Sequence, residues 1–388
     1  MNTGRSIFAQ LVEHLPRRRF QTLVTRYKGD YKSQKFSCYD QLLTMIFAQL
    51  ASCDSLRDIE SCLSSNPSQL YHLGIRCRIR RSTLADANER RDARIFEEFA
   101  KLLIAEARRL YADDVFFPEL NATVYAFDST TISLCLELFP WASFRKSKAA
   151  IKLHTLVDLR GNIPSFVLIS QGKMHDVKAL DLLPIDPGAF YLMDRGYLDY
   201  KRLHRIHQAG AFFVTRLKDN SDYRVVESFA TDKAAGILCD QAIRLNGVKS
   251  SSAYPERLRR VKYRDPETNI VYEFLTNNFT LLARIIAQLY KQRWQVELFF
   301  KWIKQHLRIK AFFGVSENAV RIQVWTALSA YLLLAIIKKR LSLPHDLHEM
   351  TQILRLHLFA KMPVLSLLFP PEPQIQTMTT CNQLKLFD

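Results

Sequence analysis

The segment from Leu289 to Lys304 carries charged side chains at spacings that could do chemistry. It lacks Gly and Pro, and its many good helix formers predict one continuous helix. At about 100° per residue, a phenol, a carboxylate and several cations share a stripe about 80° wide on that helix. The stripe consists of Tyr290, Arg293, Glu297, Lys301 and Lys304. Such a stripe beside an apolar face can hold a cation and a phosphate, or it can form only i,i+4 ion pairs between Glu297 and its neighbours Arg293 and Lys301.

The pattern Tyr-x2-Arg-x3-Glu-x6-Lys, embedded in Arg-Trp-Gln-x-Glu-x-Phe-Phe-Lys, is specific. It resembles the signature around the catalytic glutamate of bacterial insertion-sequence transposases with an Asp-Asp-Glu triad, in the family numbered four. The resemblance implies that Glu297 is a catalytic metal ligand and that Tyr290, Arg293, Lys301 and Lys304 bind DNA. It also implies two upstream metal-binding aspartates, each at the end of a strand.

Asp128 and Asp194 fit this requirement, because each follows an apolar strand pattern, Val-Tyr-Ala-Phe-Asp and Tyr-Leu-Met-Asp. Taken alone, either aspartate could instead cap a turn. The resemblance covers most of residues 120–340, since Phe-Asp-Ser-Thr, Gly-x-x-His-Asp, Met-Asp-Arg-Gly-Tyr and Leu-Thr-Asn-Asn-Phe follow in the family's order. It implies that both aspartates are catalytic metal ligands.

Cleavage of a phosphodiester needs an activated nucleophile and a stabilised leaving oxyanion. Two divalent ions about 3.5–4 Å apart can provide both. Mg²⁺ prefers hard oxygen ligands, and Mn²⁺ can substitute for it, so three carboxylates suffice. By resemblance, Asp128 would contact both ions, while Asp194 and Glu297 would each complete one.

The composition indicates a polyanionic partner. The 388 residues carry a net charge of +17, which favours nucleic acid first and an anionic membrane surface second. The seven Cys form no Cys-x2-Cys pair, so we expect reduced thiols in a cytoplasmic protein, associated with the bacterial nucleoid if the resemblance holds. The apolar run 324–337 is too short to span a bilayer and predicts a buried helix.

Residues 1–115 are predicted to form a helical DNA-binding domain. A helix, a turn and a basic helix suit a helix-turn-helix reader, with Arg81, Arg90 and Arg91 as candidate DNA contacts. Any helical domain with solvated Arg residues would show the same pattern. Lys148, near Trp141, is a further candidate contact.

Alternating strands and helices predict an α/β fold. Residues 120–220 would form the first part of a catalytic domain, residues 221–278 a small β-rich insertion, and residues 279–341 the helices that complete the domain. Residues 342–388 would be a partly helical C-terminal tail. The resemblance implies a ribonuclease-H-like catalytic core, interrupted by the β-strand insertion and flanked by helical terminal regions.

The resemblance therefore implies a Mg²⁺-dependent, cut-and-paste DNA transposase that binds terminal inverted repeats, cleaves and joins strands, and acts as a homodimer on double-stranded DNA. One alternative is a metal-dependent nuclease without strand transfer, because the same triad serves both reactions. Another is a DNA-binding repressor of transposition with a silent site. In relatives that form DNA hairpins, a Trp in the insertion stacks on a flipped base, whereas residues 221–278 contain no Trp, so hairpin formation stays open.

Overall fold

A computed structural model of the protein describes residues 4–145, 148–306 and 312–369. The described chain is built from thirteen α-helices and ten strands. The helices are α1 (Ile7–Val12), α2 (Arg17–Arg26), α3 (Cys38–Leu50), α4 (Leu56–Ser64), α5 (Arg81–Arg90), α6 (Ala93–Leu110), α7 (Tyr200–Gln208), α8 (Val248–Ala253), α9 (Ala283–Lys291), α10 (Trp294–His306), α11 (Glu317–Arg340), α12 (Leu347–His357) and α13 (Val364–Leu368). The strands are β1 (Val124–Leu134), β2 (Ser143–Arg145), β3 (Lys148–Asp158), β4 (Ile163–Gln171), β5 (Phe190–Met193), β6 (Phe212–Arg216), β7 (Tyr223–Ser228), β8 (Ile237–Leu245), β9 (Leu258–Arg264) and β10 (Val271–Thr276). The end of the predicted tail, residues 370–388, lies outside the described residues.

One sheet joins all ten strands. Its first part has the order β4-β3-β1-β5-β6, in which β3 is antiparallel to β1 and β4, and β5 and β6 run parallel to β1. An antiparallel meander followed by two parallel strands on the other side of β1 is the strand order of a ribonuclease-H-like core. The predicted α/β fold with such a core and helical terminal regions is confirmed.

The strands of this core bury both of their faces. Along β1 and β5, Ala126 and Leu192 contribute to one apolar cluster, while Phe127 and Met193 contribute to a second one. The alternation follows from the two-residue period of a strand. Helices α6 and α11 cover the first face and α7 covers the second, as expected for parallel strands in an α/β protein.

Helix α11 packs against α3, α5 and α6, so the N-terminal helices and the core share one apolar cluster. Residues 324–337 are all buried, which confirms the predicted buried helix. The helix is long and apolar enough to cross a membrane, but 94% of its apolar window is buried inside the fold. Near its start, the Asn318 side chain donates to the carbonyl oxygens of Asn88 and Arg91 at 3.0 and 2.6 Å, and its own oxygen accepts from the Ala93 N–H at 3.2 Å.

The β-rich segment, predicted as an insertion of residues 221–278, continues the core sheet. Its last strand, β10, pairs with β6, and β9, β8 and β7 follow in antiparallel order. The reason is that the edge of β6 offers backbone groups that β10 can satisfy. The four strands therefore widen the sheet toward the segment that leads into α9.

A buried ion pair holds the segment that links β10 to α9. Arg259 donates to both carboxylate oxygens of Asp240 at 2.8 and 2.7 Å, and to the Leu281 carbonyl oxygen at 2.6 Å, just before α9. Only 6% of each charged side chain is exposed. We expect Asp240→Ala to lower the free energy of unfolding by about 3–5 kcal/mol, because it leaves the Arg259 charge buried without a partner.

Urea unfolding measures this loss. A matched control is Asp219→Ala, since the Asp219 side chain is 98% exposed. The control should change stability by less than about 0.5 kcal/mol. An equally small change for Asp240→Ala would contradict a structural role for the pair.

Candidate active site

Asp128 and Asp194 come together because β1 and β5 are parallel neighbours. The register pairs Phe127 with Met193, so the next residue of each chain segment lies at the same level of the sheet. Asp194 follows the end of β5, as predicted. Asp128 does not end its strand, because β1 runs on to Leu134 through its pairing with β3. It lies instead at the point where β5 stops.

The predicted continuous helix over 289–304 is wrong. Helix α9 ends at Lys291 and α10 begins at Trp294, and the turn between them is held by i→i−3 hydrogen bonds such as Arg293 N–H to the Tyr290 carbonyl at 3.0 Å. Bonds of that type tighten the chain locally. The stripe is therefore divided: Tyr290 lies on α9, Arg293 in the turn, and Glu297 in the first turn of α10, which packs on β1.

Arg293 links two of the three carboxylates. Its Nη2 donates to Glu297 Oε1 at 2.7 Å and its Nη1 to Asp128 Oδ2 at 3.3 Å. The predicted i,i+4 pair with Glu297 thus exists, while Lys301 is exposed and forms no ion pair with Glu297 among the described residues. Only 15% of the Arg293 side chain is exposed, and its second partner comes from the sheet, so this is no solvated helix pair.

The third carboxylate, Asp194, is held by a cation and a phenol. Arg216 donates to Asp194 Oδ1 at 3.2 Å, and the Tyr290 hydroxyl donates to the same oxygen at 3.3 Å. Burial alone would raise the pKa of Asp194, but the Arg195 N–H and the charges of Arg216 and Arg293 outweigh it, so the pKa lies below its ordinary value. Burial also raises the pKa of Tyr290 to about 12, which keeps this phenol a donor.

Asp128 has the opposite electrostatic environment. Burial raises its pKa above the ordinary value, and the charges of Glu297 and Asp194 add to the rise. The Ser129 N–H, 2.8 Å from Asp128 Oδ1, and the Arg293 charge counteract it only in part. A carboxylate whose charge is disfavoured by its neighbours is one that an additional cation would stabilise.

Two guanidinium donors at the site lack an acceptor. Nε of Arg293 and Nε of Arg216 are buried and make no hydrogen bond among the described residues. Buried donors are rarely left unsatisfied, and an anion is a natural acceptor for a guanidinium group. The arrangement can therefore accept negatively charged oxygen beside the carboxylates.

Sequence reasoning missed Arg216 and a second polar cluster. The register of β5 and β6 pairs Leu192 with Val214, which brings Arg216 level with Asp194, but the order of strands had to be known first. In the cluster, Asp176 accepts from Ser129 Oγ at 2.9 Å and pairs with Lys152 at 3.0 Å. The Gly-x-x-His-Asp segment is the sequence feature that could have indicated this cluster. Its aspartate, Asp176, begins a 3-10 helix (Asp176–Leu182) and faces the site.

His154, on β3, lies fully buried behind Asp176, with 0% exposure. Burial lowers its pKa from 6.5 to about 4. In the unfolded chain His154 gains a proton as the pH falls below about 6.5, whereas in the folded protein it stays neutral until about pH 4. The stability that His154 contributes at neutral pH is therefore lost between these values, by about 2 kcal/mol from pH 7 to pH 5.

The measurement is the free energy of unfolding in urea at several pH values for the wild type and for His154→Gln. Gln can keep the hydrogen bond to Ser170 Oγ, which the His154 ring makes at 2.9 Å. The variant should lose less stability than the wild type on acidification. Parallel curves would show that His154 does not titrate in this way.

The remaining predicted DNA contacts are dispersed. Lys148 is exposed at the start of β3, Arg81 and Arg90 are exposed at the two ends of α5, and Lys304 is half-buried on α10. Arg91 is placed differently: its side chain is 9% exposed and donates to the Ser37 carbonyl and to Gln41 Oε1, both at 3.0 Å. These oxygens occupy donors of Arg91 inside the fold, and a DNA contact by Arg91 stays a prediction.

The described residues contain no group of three or more His, Cys, Asp or Glu side chains arranged to hold a metal ion. Arg293 instead lies between Asp128 and Glu297 and serves as their cation. By chemistry, the donor set of three carboxylates fits Mg²⁺ or Mn²⁺.

Two family models match the chain. The Transposase DDE domain matches residues 119–333, which is more than half of the chain. A domain of unknown function (DUF4372) matches residues 3–76. The first match includes Asp128, Asp194 and Glu297, and the second ends before α5.

Curated relatives agree with the first family. The y4zB protein of Sinorhizobium fredii, named as a transposase, is 34% identical over 292 residues, which cover 74% of this chain and 80% of that protein. The transposase of insertion sequence IS5377 from Geobacillus stearothermophilus is 31% identical, with 62% of each chain covered. That of IS4SA from Synechocystis is 27% identical over 66% of this chain and 71% of its own. The structure of a piggyBac transposase synaptic complex with hairpin DNA aligns over 91% of this chain and 83% of that one, with a TM-score of 0.39 and 10% identity. The match to the family numbered four stays a prediction, but the domain and the relatives show that the chain belongs to the DDE-type bacterial insertion-sequence transposases.

Proposed function

We propose that this transposase binds double-stranded DNA at terminal inverted repeats and cleaves and joins its strands in a cut-and-paste reaction. One observation carries the proposal: Asp128 and Glu297 contact the Arg293 guanidinium group, and Asp194, from a third element, lies near enough for the Arg293 charge to lower its pKa. Three carboxylates this close together do not stabilise the fold by themselves, because the charge of each raises the free energy of ionising the others.

Asp128, Asp194 and Glu297 are the side chains that would hold two Mg²⁺ or Mn²⁺ ions. When bound, such ions activate the nucleophile and stabilise the leaving oxyanion. Asp128 is suited to hold a cation because burial and its neighbouring carboxylates disfavour its charge in the absence of one. Arg293 would have to release Asp128 to make room.

Arg293 would then donate to a DNA phosphate. Its unsatisfied Nε and its planar fork suit a bidentate contact with two phosphate oxygens. Tyr290, with its raised pKa, would donate its hydroxyl proton in a hydrogen bond to the same backbone. Lys301 and Lys304 lie further along α10 and would hold the DNA by charge.

The rest of the chain would place the DNA. The helical region 1–115 is proposed to bind the inverted repeats, while residues 120–220 and 279–341 supply the catalytic groups and residues 221–278 widen the surface beside them. Two transposon ends require two active sites, so a homodimer on DNA is proposed. Its place of action would be the bacterial nucleoid in the cytoplasm.

The test is incubation of the purified protein with Mg²⁺, a labelled duplex carrying the end of its own element and a target plasmid. We expect strand breaks at the end of the element and joined products in the plasmid. Breaks without joining would indicate the nuclease alternative. Specific binding without breaks would indicate the repressor, and no specific binding would refute the proposal.

A further inference from the structure

A basic groove lies between the segment that joins α2 to α3 and the C-terminal end of α5. Its volume is about 800 Å³. It is lined by four exposed cations, Lys28, Lys32, Lys35 and Arg90. Within the described part of the chain, none of the four forms an ion pair with a carboxylate. The groove shares no residue with the carboxylate site.

The carboxylates that line the groove do not balance this charge. Asp92 is neutralised by Arg94, whose Nε and Nη2 donate to it at 3.0 and 2.6 Å. That leaves Asp86 against four cations. The groove is therefore electropositive and favours a polyanion.

The groove is preformed. The buried Arg91 side chain, which is bound to Ser37 and Gln41, also donates to Ser33 Oγ at 3.2 Å and so holds the segment against the end of α5. A Cβ at Gly29 would lie 2.5 Å from the Ile95 side chain, which shows how closely the segment packs on α6. A polyanion would meet cations whose backbone is already in place.

Two of the cations lie on strained backbone. Lys28 and Lys32 have φ values of +51° and +60°, in the left-handed region that costs a residue with a side chain about 1 kcal/mol. Gly or Asn would adopt this conformation more readily. Cations at both strained positions point to a use for the charge, because strain of this kind is found at functional sites.

We propose that this groove binds the sugar–phosphate backbone of duplex DNA through Lys28, Lys32 and Lys35. The proposal rests on the proposed function, since the duplex would be the transposon end, and it assigns a role within residues 3–76, whose family is described as a domain of unknown function. A single strand would need several stacking aromatics. In the groove, the Tyr31 ring is 74% exposed and open to a base. The Tyr27 hydroxyl is bound to Glu98 and the Tyr27 ring is covered by Arg94, so the groove favours a duplex over a single strand.

The test variant combines Lys28→Asn, Lys32→Asn and Lys35→Gln. Asn tolerates the left-handed conformation, so the segment should keep its shape. We expect the affinity for a labelled end duplex to fall on the order of 100-fold at about 0.15 M salt, and the slope of log K against log salt concentration to become shallower by about 2.7. Fluorescence anisotropy measures both, and an unchanged melting temperature confirms folding.

A matched control replaces three exposed lysines outside the groove, Lys201, Lys233 and Lys249, by Gln. It should reduce affinity only a few-fold. Equal losses in the two variants would show that total charge, rather than the groove, governs binding and would overturn the proposal. Unchanged affinity of the groove variant would overturn it as well, as would equally tight, equally sensitive binding of the corresponding single strand.

Failure of the groove and failure of the proposed function can be told apart. If the wild type binds and cuts its end duplex while the groove variant binds equally well, only the groove assignment fails. If the wild type itself shows no salt-dependent binding to the duplex, the proposed function fails.

Discussion

Asp128→Asn, Asp194→Asn and Glu297→Gln are each expected to reduce Mg²⁺-dependent cleavage of the transposon end by at least about 1000-fold. The reason is that a neutral amide is a much weaker ligand for a hard divalent cation than a carboxylate. Losing a metal contact that stabilises the transition state by several kcal/mol gives a loss of that order. Single-turnover cleavage of a labelled end measures it.

The same variants should retain affinity for the end duplex and remain folded. Asp128→Asn in particular should not lower the melting temperature, because burial and two neighbouring carboxylates already disfavour the Asp128 charge. The control is Glu267→Gln, a 75% exposed carboxylate paired with Lys291 of α9, and it should cleave normally. Full cleavage by a triad variant would remove that residue from the site.

Arg293→Lys is expected to slow cleavage by about 10- to 150-fold. Lys keeps the charge but loses the fork that can bind two phosphate oxygens. The loss corresponds to about 1.5–3 kcal/mol if the contact is made chiefly in the transition state. Single-turnover cleavage, measured together with the melting temperature, separates this role from a purely structural ion pair.

The chain offers a matched pair for this comparison. Arg321 contacts Glu317 at 2.8 Å with i,i+4 spacing on α11, and its side chain is 36% exposed. Arg321→Lys should leave cleavage unchanged and stability within a few tenths of a kcal/mol. If Arg293→Lys behaved in the same way, Arg293 would be a structural partner of Glu297 and not a phosphate ligand.

The strands before Asp128 and Asp194 could be predicted from the sequence, because their apolar patterns are local. Glu297 is a candidate because its neighbours form a specific motif, and the resemblance that this motif carries asks for two upstream aspartates. Asp128 and Asp194 fit because each follows an apolar strand pattern. The break before Trp294 could not be predicted, since no Gly or Pro marks it. It arises where Arg293 turns toward Asp128, a residue 165 positions away in the chain.

The partners of Arg216 and Arg91 could not be predicted from the sequence either, because they depend on strand order and on burial. Arg216 reaches Asp194 only because β6 lies beside β5. Arg91 stands in a basic run that suits DNA contact, but its neighbours in space offer oxygens that its guanidinium group satisfies inside the fold. Sequence gives the charge of such residues but not the acceptor that each charge meets.

The Asn318 side chain joins the turn between α5 and α6 to the start of α11, and α11 in turn lies against the core that carries the carboxylates. If the groove beside Arg90 holds the duplex, this connection fixes the distance between the groove and the carboxylates. The number of base pairs between the held segment and the cut phosphate would then be set by the protein and not by the DNA. Shifting the recognised repeat by half a helical turn relative to the end of the element should therefore move the cut by the same number of base pairs.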